Sequence, residues 1–341
     1  MDLMGAAWMI RDLGQTVSAI HIAEDGVIIA GGWDGRLKCW DAEGATLWEV
    51  DCNDRIESIL VQGNMIIVTS GLHIATVIDG EIKWDYPLEG SSDLLAFHDG
   101  KVIATSSVFD LEHNDFMESA IWTFDIKGKL LNVEKIEERP WFVESKKELI
   151  IGLGRPRCGI LIDGEHESLA TDSPVTCGLS NIKQTYFGHA DGTISTKNGK
   201  IISVEDTAIE SLTLTDYGIV ASLEMGILVA RKLDKKLLWT TNGNQITCQT
   251  NGFSSTHWCG RWGSAKGLVE VRNNIGEIVS TVDTSRPRIA TSSNERVGFG
   301  FEDGQVVVWE KDLFTRRSEE KTEEVSGRKS TLAAKLRSLR K

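Results

Sequence analysis

Short apolar runs alternate with glycine-containing turns over almost the whole chain. Between Thr16 and Val50 four such runs follow one another: TVSAIHIAEDG, VIIAGGWDG, RLKCWDAEG and ATLWEV. Runs rich in Val, Ile, Leu or Trp and closed by a turn signal are typical of β-strands. Asp34-Gly35 supplies the positive φ angles that a two-residue hairpin turn requires. The pattern therefore predicts one antiparallel blade of four strands, a to d, with strand a innermost.

The same unit recurs along the chain. A second copy reads IESILVQG, NMIIVTSG, LHIATVIDG and EIKWDYPLE, and a third carries an insertion around residues 108–118. The last copy offers only three strands, and we expect the N-terminal segment AAWMIRDLG to supply the fourth, because closing the ring removes exposed strand edges. Weaker copies begin near Arg139, Pro174, Ile209, Gln245 and Arg286.

The spacing of the Asp-Gly turns sets the number of blades. Gly192 and Gly304 are 112 residues apart, which fits three repeats of about 37 residues. Gly35 and Gly192 are 157 residues apart, which fits four repeats and the insertion. The sequence predicts an all-β, eight-bladed β-propeller over Ala6 to Asp312, closed by the N-terminal strand. Irregular fourth and fifth copies leave seven blades as the alternative.

Several residues resemble known propeller repeats. The segment WDAEGATLWEV, with Asp41, Gly44 and Trp48, resembles the repeat of pyrroloquinoline-quinone-type propellers, and Trp40-Asp41 resembles WD-repeat propellers. Weaker copies are DGEIKW, DIKGKLL, LDKKLLW and NNIGEIV. The resemblance covers the chain up to Asp312 and implies a propeller fold. The first family contains both quinone-dependent alcohol dehydrogenases and non-enzymatic assembly platforms, and fold alone does not choose between them.

Other features favour a non-enzymatic member without cofactor or metal. The six cysteines are far apart and none is adjacent to another, whereas the quinone enzymes commonly carry a vicinal disulfide and a calcium site. The seven histidines have no HExxH spacing, and no GxSxG or Walker motif is present. For His189 in GHADG we expect a structural role. The N-terminus has no basic signal-peptide region and no apolar run reaches membrane-helix length, so we expect a reduced, cytoplasmic, monomeric protein.

The arginines indicate a functional face. In a propeller the b–c and d–a connections share one face, which we call the arginine face, and the a–b and c–d connections share the other, the lysine face. Nine of the 12 propeller arginines map to or beside connections of the first face, and most lysines map to the second. These arginines are Arg11, Arg36, Arg55, Arg139, Arg155, Arg157, Arg261, Arg286 and Arg288.

Four of them, Arg55, Arg139, Arg286 and Arg288, open innermost strands and should ring the central opening. A guanidinium group suits carboxylate and phosphate. The alternative is local pairing with Asp34, Asp54, Glu137 and Glu138.

The tryptophans are mostly expected to pack blades together. Trp40, Trp122 and Trp309 fall on third strands, and Trp48, Trp84 and Trp239 fall on outer strands. In STHWCGRWG, Trp258, Arg261 and Trp262 are predicted to flank a loop, where they form either a recognition patch or packing contacts. The candidate partner-binding residues are therefore Arg36, Arg55, Arg139, Arg155, Arg157, Trp258, Arg261, Trp262, Arg286 and Arg288.

The composition changes after the propeller. Residues 315–341 contain nine basic and four acidic side chains, whereas the chain as a whole has a net charge of −13. We expect a polar linker over 313–329 and a basic amphipathic helix over 330–341, with Ser330 as its N-cap. This helix could dock on a protein groove, on nucleic acid or on its own acidic propeller. Its candidate docking residues are Leu332, Leu336, Arg337, Leu339 and Arg340.

Together these features predict a non-catalytic interaction scaffold or adaptor. Its arginine face would bind an acidic or phosphorylated segment of a protein partner. One alternative is a small-ligand binder or quinone-type enzyme that uses the central channel. Another is a nucleic-acid-associated factor that binds through the basic tail.

Overall fold

The computed structural model describes residues 2–112, 114–293 and 295–319. Its regular structure consists of 32 strands, one short 3₁₀ helix at Glu224–Gly226 and one C-terminal helix, α1, at residues 311–319. The strands of the first half are β1 Met9–Asp12, β2 Val17–Ile22, β3 Ile28–Gly32, β4 Arg36–Trp40, β5 Thr46–Asp51, β6 Ile56–Gln62, β7 Met65–Ser70, β8 His73–Ile78, β9 Glu81–Pro87, β10 Ser91–His98, β11 Lys101–Asp110, β12 Asp115–Asp125, β13 Leu130–Ile136, β14 Pro140–Ser145, β15 Leu149–Leu153 and β16 Ile160–Ile162. Those of the second half are β17 Glu165–Glu167, β18 Val175–Ser180, β19 Thr185–His189, β20 Thr193–Thr196, β21 Ile201–Val204, β22 Ile209–Thr215, β23 Gly218–Leu223, β24 Ile227–Arg231, β25 Leu237–Thr241, β26 Gln245–Asn251, β27 His257–Gly263, β28 Lys266–Arg272, β29 Ile278–Thr284, β30 Pro287–Ser293, β31 Arg296–Phe301 and β32 Gln305–Glu310.

These strands form eight four-stranded antiparallel sheets, which confirms the eight-bladed propeller. Blades 1 to 7 each use four consecutive strands, from β2–β5 to β26–β29. Blade 8 has the order β30-β31-β32-β1, so the N-terminal strand supplies its outer edge, with Met9 opposite Val308 and Asp12 opposite Gln305. The first strands of successive blades contact one another around the ring and therefore surround the central channel.

Large and small residues interlock where blades meet. The outer-strand residue Trp48 of blade 1 packs on Gly80 in the c–d turn of blade 2, where an added Cβ would lie 2.8 Å from the tryptophan Cβ. Trp84 packs in the same way on Gly128, at 2.4 Å from a ring atom. Both glycines have positive φ angles, so the turn and the close approach require the same residue. This contact gives the recurring glycine and outer tryptophan of the repeat their packing role.

The third blade carries the inserted hairpin that the sequence predicts. Its strands β11 and β12 contain 10 and 11 residues and continue beyond the blade on the arginine face. Phe109 and Phe116 pair across this extension with ring centroids 5.1 Å apart, which holds its two strands together. Leu111 near the tip is 87% exposed.

The N-terminal segment and helix α1 pack on the lysine face of blades 7 and 8. The Trp309 indole donates a hydrogen bond of 2.7 Å to the Leu3 carbonyl. Phe314 of α1 is buried against Phe253 and Trp258, with ring centroids 5.1 and 5.5 Å away. Helix α1 thus occupies the start of the segment expected to be a polar linker, and its Phe314 belongs to the hydrophobic core. The helix expected over residues 330–341, with all five docking residues, lies outside the described residues.

The segment STHWCGRWG is not a loop, so that prediction is wrong. Its central residues form strand β27, and Trp258 is fully buried. Gly260 serves close packing instead of a turn, since an added Cβ there would lie 2.5 Å from Pro287 of the next blade. In the described ranges, no helix combines the length and apolarity needed to span a membrane.

Candidate functional site

Every innermost strand carries a β-bulge near its start, on the arginine face. In seven blades the register shifts across one residue, and in blade 3 it shifts between Ser92 and Leu95. A bulge frees a residue from the ladder and re-aims its side chain, and bulges are common beside binding sites. The bulged residues are Ser18, Glu57, Asp93 with Leu94, Trp141, Thr176, Glu210, Thr247 and Arg288.

Six of these positions line one cavity of about 570 Å³ at the mouth of the channel. We call this cavity the mouth. Side chains from blade connections complete it, among them Trp33, Arg55, Glu224 and Arg286. The bulged residues that line the mouth are Ser18, Trp141, Thr176, Glu210, Thr247 and Arg288.

One side of the mouth is cationic and aromatic. The guanidinium groups of Arg55 and Arg288 both lie over the Trp33 ring, at 4.6 and 4.7 Å from its centroid. Trp33 nevertheless remains 40% exposed. Arg55 also pairs with Glu57 at 2.6 Å, whereas Arg288 lies 3.7 Å from Glu302. Stacking on an aromatic face holds a guanidinium group in place and leaves its N–H donors available.

Positive charge accumulates on this side. Burial lowers the pKa of Arg288, and the neighbouring Arg286 and Arg55 lower it further. Arg286 lies 5.5 Å from the Trp262 ring, and its Nε is buried without a hydrogen-bond partner among the described residues. An anion bound here would offset this charge.

The side formed by blade 6 is anionic. Glu210 occupies the bulge of β22, and Glu224 follows β23 in the adjacent b–c connection. Partial desolvation raises the pKa of Glu210, and the charge of Glu224 raises it further. The mouth therefore has opposite charges on two sides.

A second arginine–aromatic cluster supports Trp141. The Arg139 guanidinium lies 3.6 Å from the Phe116 ring centroid and 4.3 Å from that of Trp141. Arg139 donates a hydrogen bond of 3.0 Å to Asp93, so its charge is compensated locally. Arg139 thus lies between Trp141, at the edge of the mouth, and the hairpin of blade 3.

Several other candidate arginines are also engaged locally. Arg36 donates to the Leu13 carbonyl at 3.0 Å and pairs with Glu49 at 3.3 Å. Arg157 makes two hydrogen bonds of 3.0 Å to the buried carboxylate of Glu138. Arg155 is exposed and does not line the mouth. For Arg36 and Arg157 the structure thus shows the local pairing that the sequence left open.

The candidates of blade 7 are mainly structural. Arg261 is only 2% exposed and donates hydrogen bonds of 2.8 Å to the carbonyls of Gly226 and Asn244, which connects blade 7 to blade 6. Trp258 belongs to the aromatic core, as the packing alternative predicted. Of the ten candidates, the mouth brings together Arg55, Arg286 and Arg288, with Trp262 beside Arg286.

Most residues that line the mouth are not among the candidates that the sequence indicates. Trp33, Trp141, Glu210 and Glu224 belong to this group. One signal could have found two of them: Trp141 and Glu210 each follow directly after the apolar residue that opens an innermost strand. That position is the bulge in six of the eight blades; strand β26 opens at Gln245 instead, and blade 3 has a two-residue bulge.

The histidine of GHADG has the structural role expected for it. His189 is fully buried, hydrogen-bonded to the Ser195 hydroxyl at 2.8 Å and to the Ser173 carbonyl at 3.0 Å. Burial raises the pKa of the Cys177 and Cys248 thiols to about 12, which opposes formation of a reactive thiolate. Within the described ranges, no group of three or more His, Cys, Asp or Glu side chains is arranged to hold a metal ion.

Solved structures share the fold. The computationally designed Ika8 protein aligns with a TM-score of 0.70 at 18% identity, over 88% of this chain and 98% of its own. BamB from Moraxella catarrhalis aligns with a TM-score of 0.70 at 18% identity, over 89% and 98%. Sqt1 from Saccharomyces cerevisiae gives 0.69 at 11%, over 89% and 98%.

Identities this low show the architecture alone. No protein-family model matches the chain. No curated protein has a significantly similar sequence.

Proposed function

We propose that this protein is a non-catalytic interaction scaffold that binds an acidic or phosphorylated segment of a partner protein at the mouth. The observation that carries the proposal is the convergence of Arg55, Arg286 and Arg288 around the half-exposed Trp33 in one cavity. Exposed aromatic and arginine side chains are the types most enriched at the energetic centres of protein interfaces.

The rigidity of the site supports this role. Arg288 lies on a strand bulge, and Arg55 and Arg288 both lie over the Trp33 ring, so these two arginines need little ordering when a partner binds. Pre-organisation of this kind reduces the entropy lost on association. A partner carboxylate could accept hydrogen bonds from two guanidinium groups while an apolar neighbour packs on Trp33.

A small-ligand function is the second candidate, because the cavity has the right size for it. Its volume of about 570 Å³ lies within the range of small-molecule sites, and Trp33 and Trp141 give it aromatic walls. The raised pKa of Glu210 in the same cavity also marks the mouth as a candidate chemical site.

The test is quantitative affinity capture with the full-length protein and a triple variant, Arg55→Ala, Arg286→Ala and Arg288→Ala. We expect the variant to lose a discrete set of partners, and we expect captured amounts with wild type to fall as salt increases. The matched control replaces three exposed lysines of the lysine face, Lys101, Lys127 and Lys236, by alanine and should retain those partners.

Recovery of the same partners by both triple variants would show that the mouth is not the protein-binding site. Loss of a co-purifying small molecule instead of a protein, detected by mass spectrometry of the denatured sample, would favour the second candidate. Nucleic-acid binding through the tail is tested by truncation after Glu319. That cut spares Phe314, whereas a cut at Asp312 would remove a core side chain.

A further inference from the structure

The two charged sides of the mouth restrict what can bind there. We propose that the occupant is a peptide segment with side chains of both charges. A glutamate or aspartate, and not a phosphorylated residue, lies against Arg286 and Arg288, and a lysine or arginine lies against Glu210 and Glu224. This inference rests on the proposed function and specifies the chemistry of the bound segment.

The charge balance on the arginine side favours a carboxylate over a phosphate. Three guanidinium groups there, of Arg55, Arg286 and Arg288, face the carboxylates of Glu57 and Glu302. One positive charge remains, and within the described ranges Arg286 has no ion-pair partner. A glutamate or aspartate carries one negative charge, whereas a phosphorylated residue carries about 1.5 to 2. A single carboxylate therefore neutralises this side without excess.

The negative charge on the blade 6 side of the mouth favours a bound cation. Glu210 and Glu224 line the same cavity, and in the described part of the molecule neither side chain forms an ion pair or a hydrogen bond. The charge of Glu224 and the partial desolvation of Glu210 disfavour a bare carboxylate at Glu210. A lysine or arginine of the bound segment would relieve both effects. A phosphate in the same cavity would add a third anionic group.

The walls between the charged sides suit a short backbone. Thr176 and Thr247 occupy bulge positions on one arc of the ring, and Ser18 occupies another. The hydroxyl groups of Thr176 and Ser18 already donate to the carbonyls of Ile209 and Gly31. They therefore offer acceptors to the N–H groups of an extended peptide backbone, which need partners when they leave water. Trp33 and Trp141 offer apolar contact for the residues beside the charges.

The experiment uses pools of labelled octapeptides whose other positions hold random uncharged residues. The pools carry Glu alone, phosphoserine alone, Lys alone, or Glu and Lys separated by two to five residues, and fluorescence polarisation measures Kd. For wild type we expect the best Glu/Lys pool to bind about five-fold more tightly than the Glu pool, a ratio that one added ion pair can supply. The double variant Glu210→Gln, Glu224→Gln should lose this preference while still binding the Glu pool.

Two variants sharpen the result. Arg286→Gln should weaken every pool that contains Glu. The control Glu134→Gln, Glu137→Gln removes two exposed carboxylates outside the mouth and should keep the preference for Lys. Tighter binding of the phosphoserine pool than of the Glu/Lys pool, or a preference for Lys that survives Glu210→Gln, Glu224→Gln, would overturn this inference and leave the proposed function standing. Failure of every pool that contains Glu or phosphoserine to bind would overturn both.

Discussion

Replacement of Arg261 by alanine should destabilise the fold severely, although the sequence assigns this residue to the same face as the mouth arginines. Its side chain is almost fully buried and donates hydrogen bonds of 2.8 Å to two backbone carbonyls, those of Gly226 and Asn244. It also lies 3.4 Å from the buried carboxylate of Glu270. Arg272 lies closer to the same carboxylate, at 2.6 Å.

The magnitude follows from these contacts. A hydrogen bond from a charged group contributes about 1.5–3 kcal/mol, and the two carbonyls would lose their donor in a site closed to water. Removal of one partner from a buried charged network typically lowers the free energy of unfolding by about 3–5 kcal/mol. We therefore expect Arg261→Ala to lower the free energy of unfolding by about 3–5 kcal/mol.

Urea denaturation followed by tryptophan fluorescence measures this change as a lower midpoint at an unchanged slope. Arg286→Ala is the matched control, because that guanidinium lines the open mouth and has no ion pair in the described ranges. We expect it to change stability by about 0.5 kcal/mol or less. Equal effects of the two substitutions, or an Arg261→Ala effect below about 1 kcal/mol, would refute the division of the arginines into structural and binding sets.

Three further predictions concern the scaffold. Gly260→Ala would place a Cβ 2.5 Å from Pro287 and should lower the free energy of unfolding by about 1–3 kcal/mol, measured by urea denaturation. Burial lowers the pKa of His257 to about 3, whereas the unfolded chain takes up this proton near pH 6.5. Stability is therefore full above pH 6.5 and falls towards pH 3, and at pH 5 wild type should have lost about 2 kcal/mol that a His257→Gln variant retains, compared in parallel denaturation curves. Truncation after Glu319 should leave Tm unchanged, while Phe314→Ala should lower the free energy of unfolding by about 3–5 kcal/mol.

The propeller fold could be predicted from the sequence because the repeated residues are the ones that pack neighbouring blades together. A glycine in each clear c–d turn and a tryptophan on the outer strand fit together between neighbouring blades, as Gly80 and Trp48 do. Asp-Gly spacing then counts the blades, and a missing outer strand identifies the closure by Met9–Asp12. These features are local and periodic, so one sequence suffices to read them.

The site could be predicted only in part, since exposure and pairing depend on contacts between distant blades. The positions of Arg55, Arg286 and Arg288 followed from strand order. The burial of Arg261 could not be predicted from strand order, because its hydrogen-bond partners lie 35 and 17 residues away in the sequence. The prediction of a loop around Gly260 was wrong for a related reason. Glycine is common both in loops and where two blades approach closely, so composition alone does not distinguish the two cases.

Site-specific photo-cross-linking tests the central claim most directly. A photoreactive phenylalanine analogue at position 33 or 141 of the mouth is compared with one at Ile126, an exposed position in a c–d turn of the lysine face. We predict cross-links from positions 33 and 141 to one protein segment that contains Asp or Glu, lost when Arg286→Ala is added. Identical products from Ile126, or attached segments without an acidic residue, would contradict the assignment of the mouth as the site that binds an acidic partner.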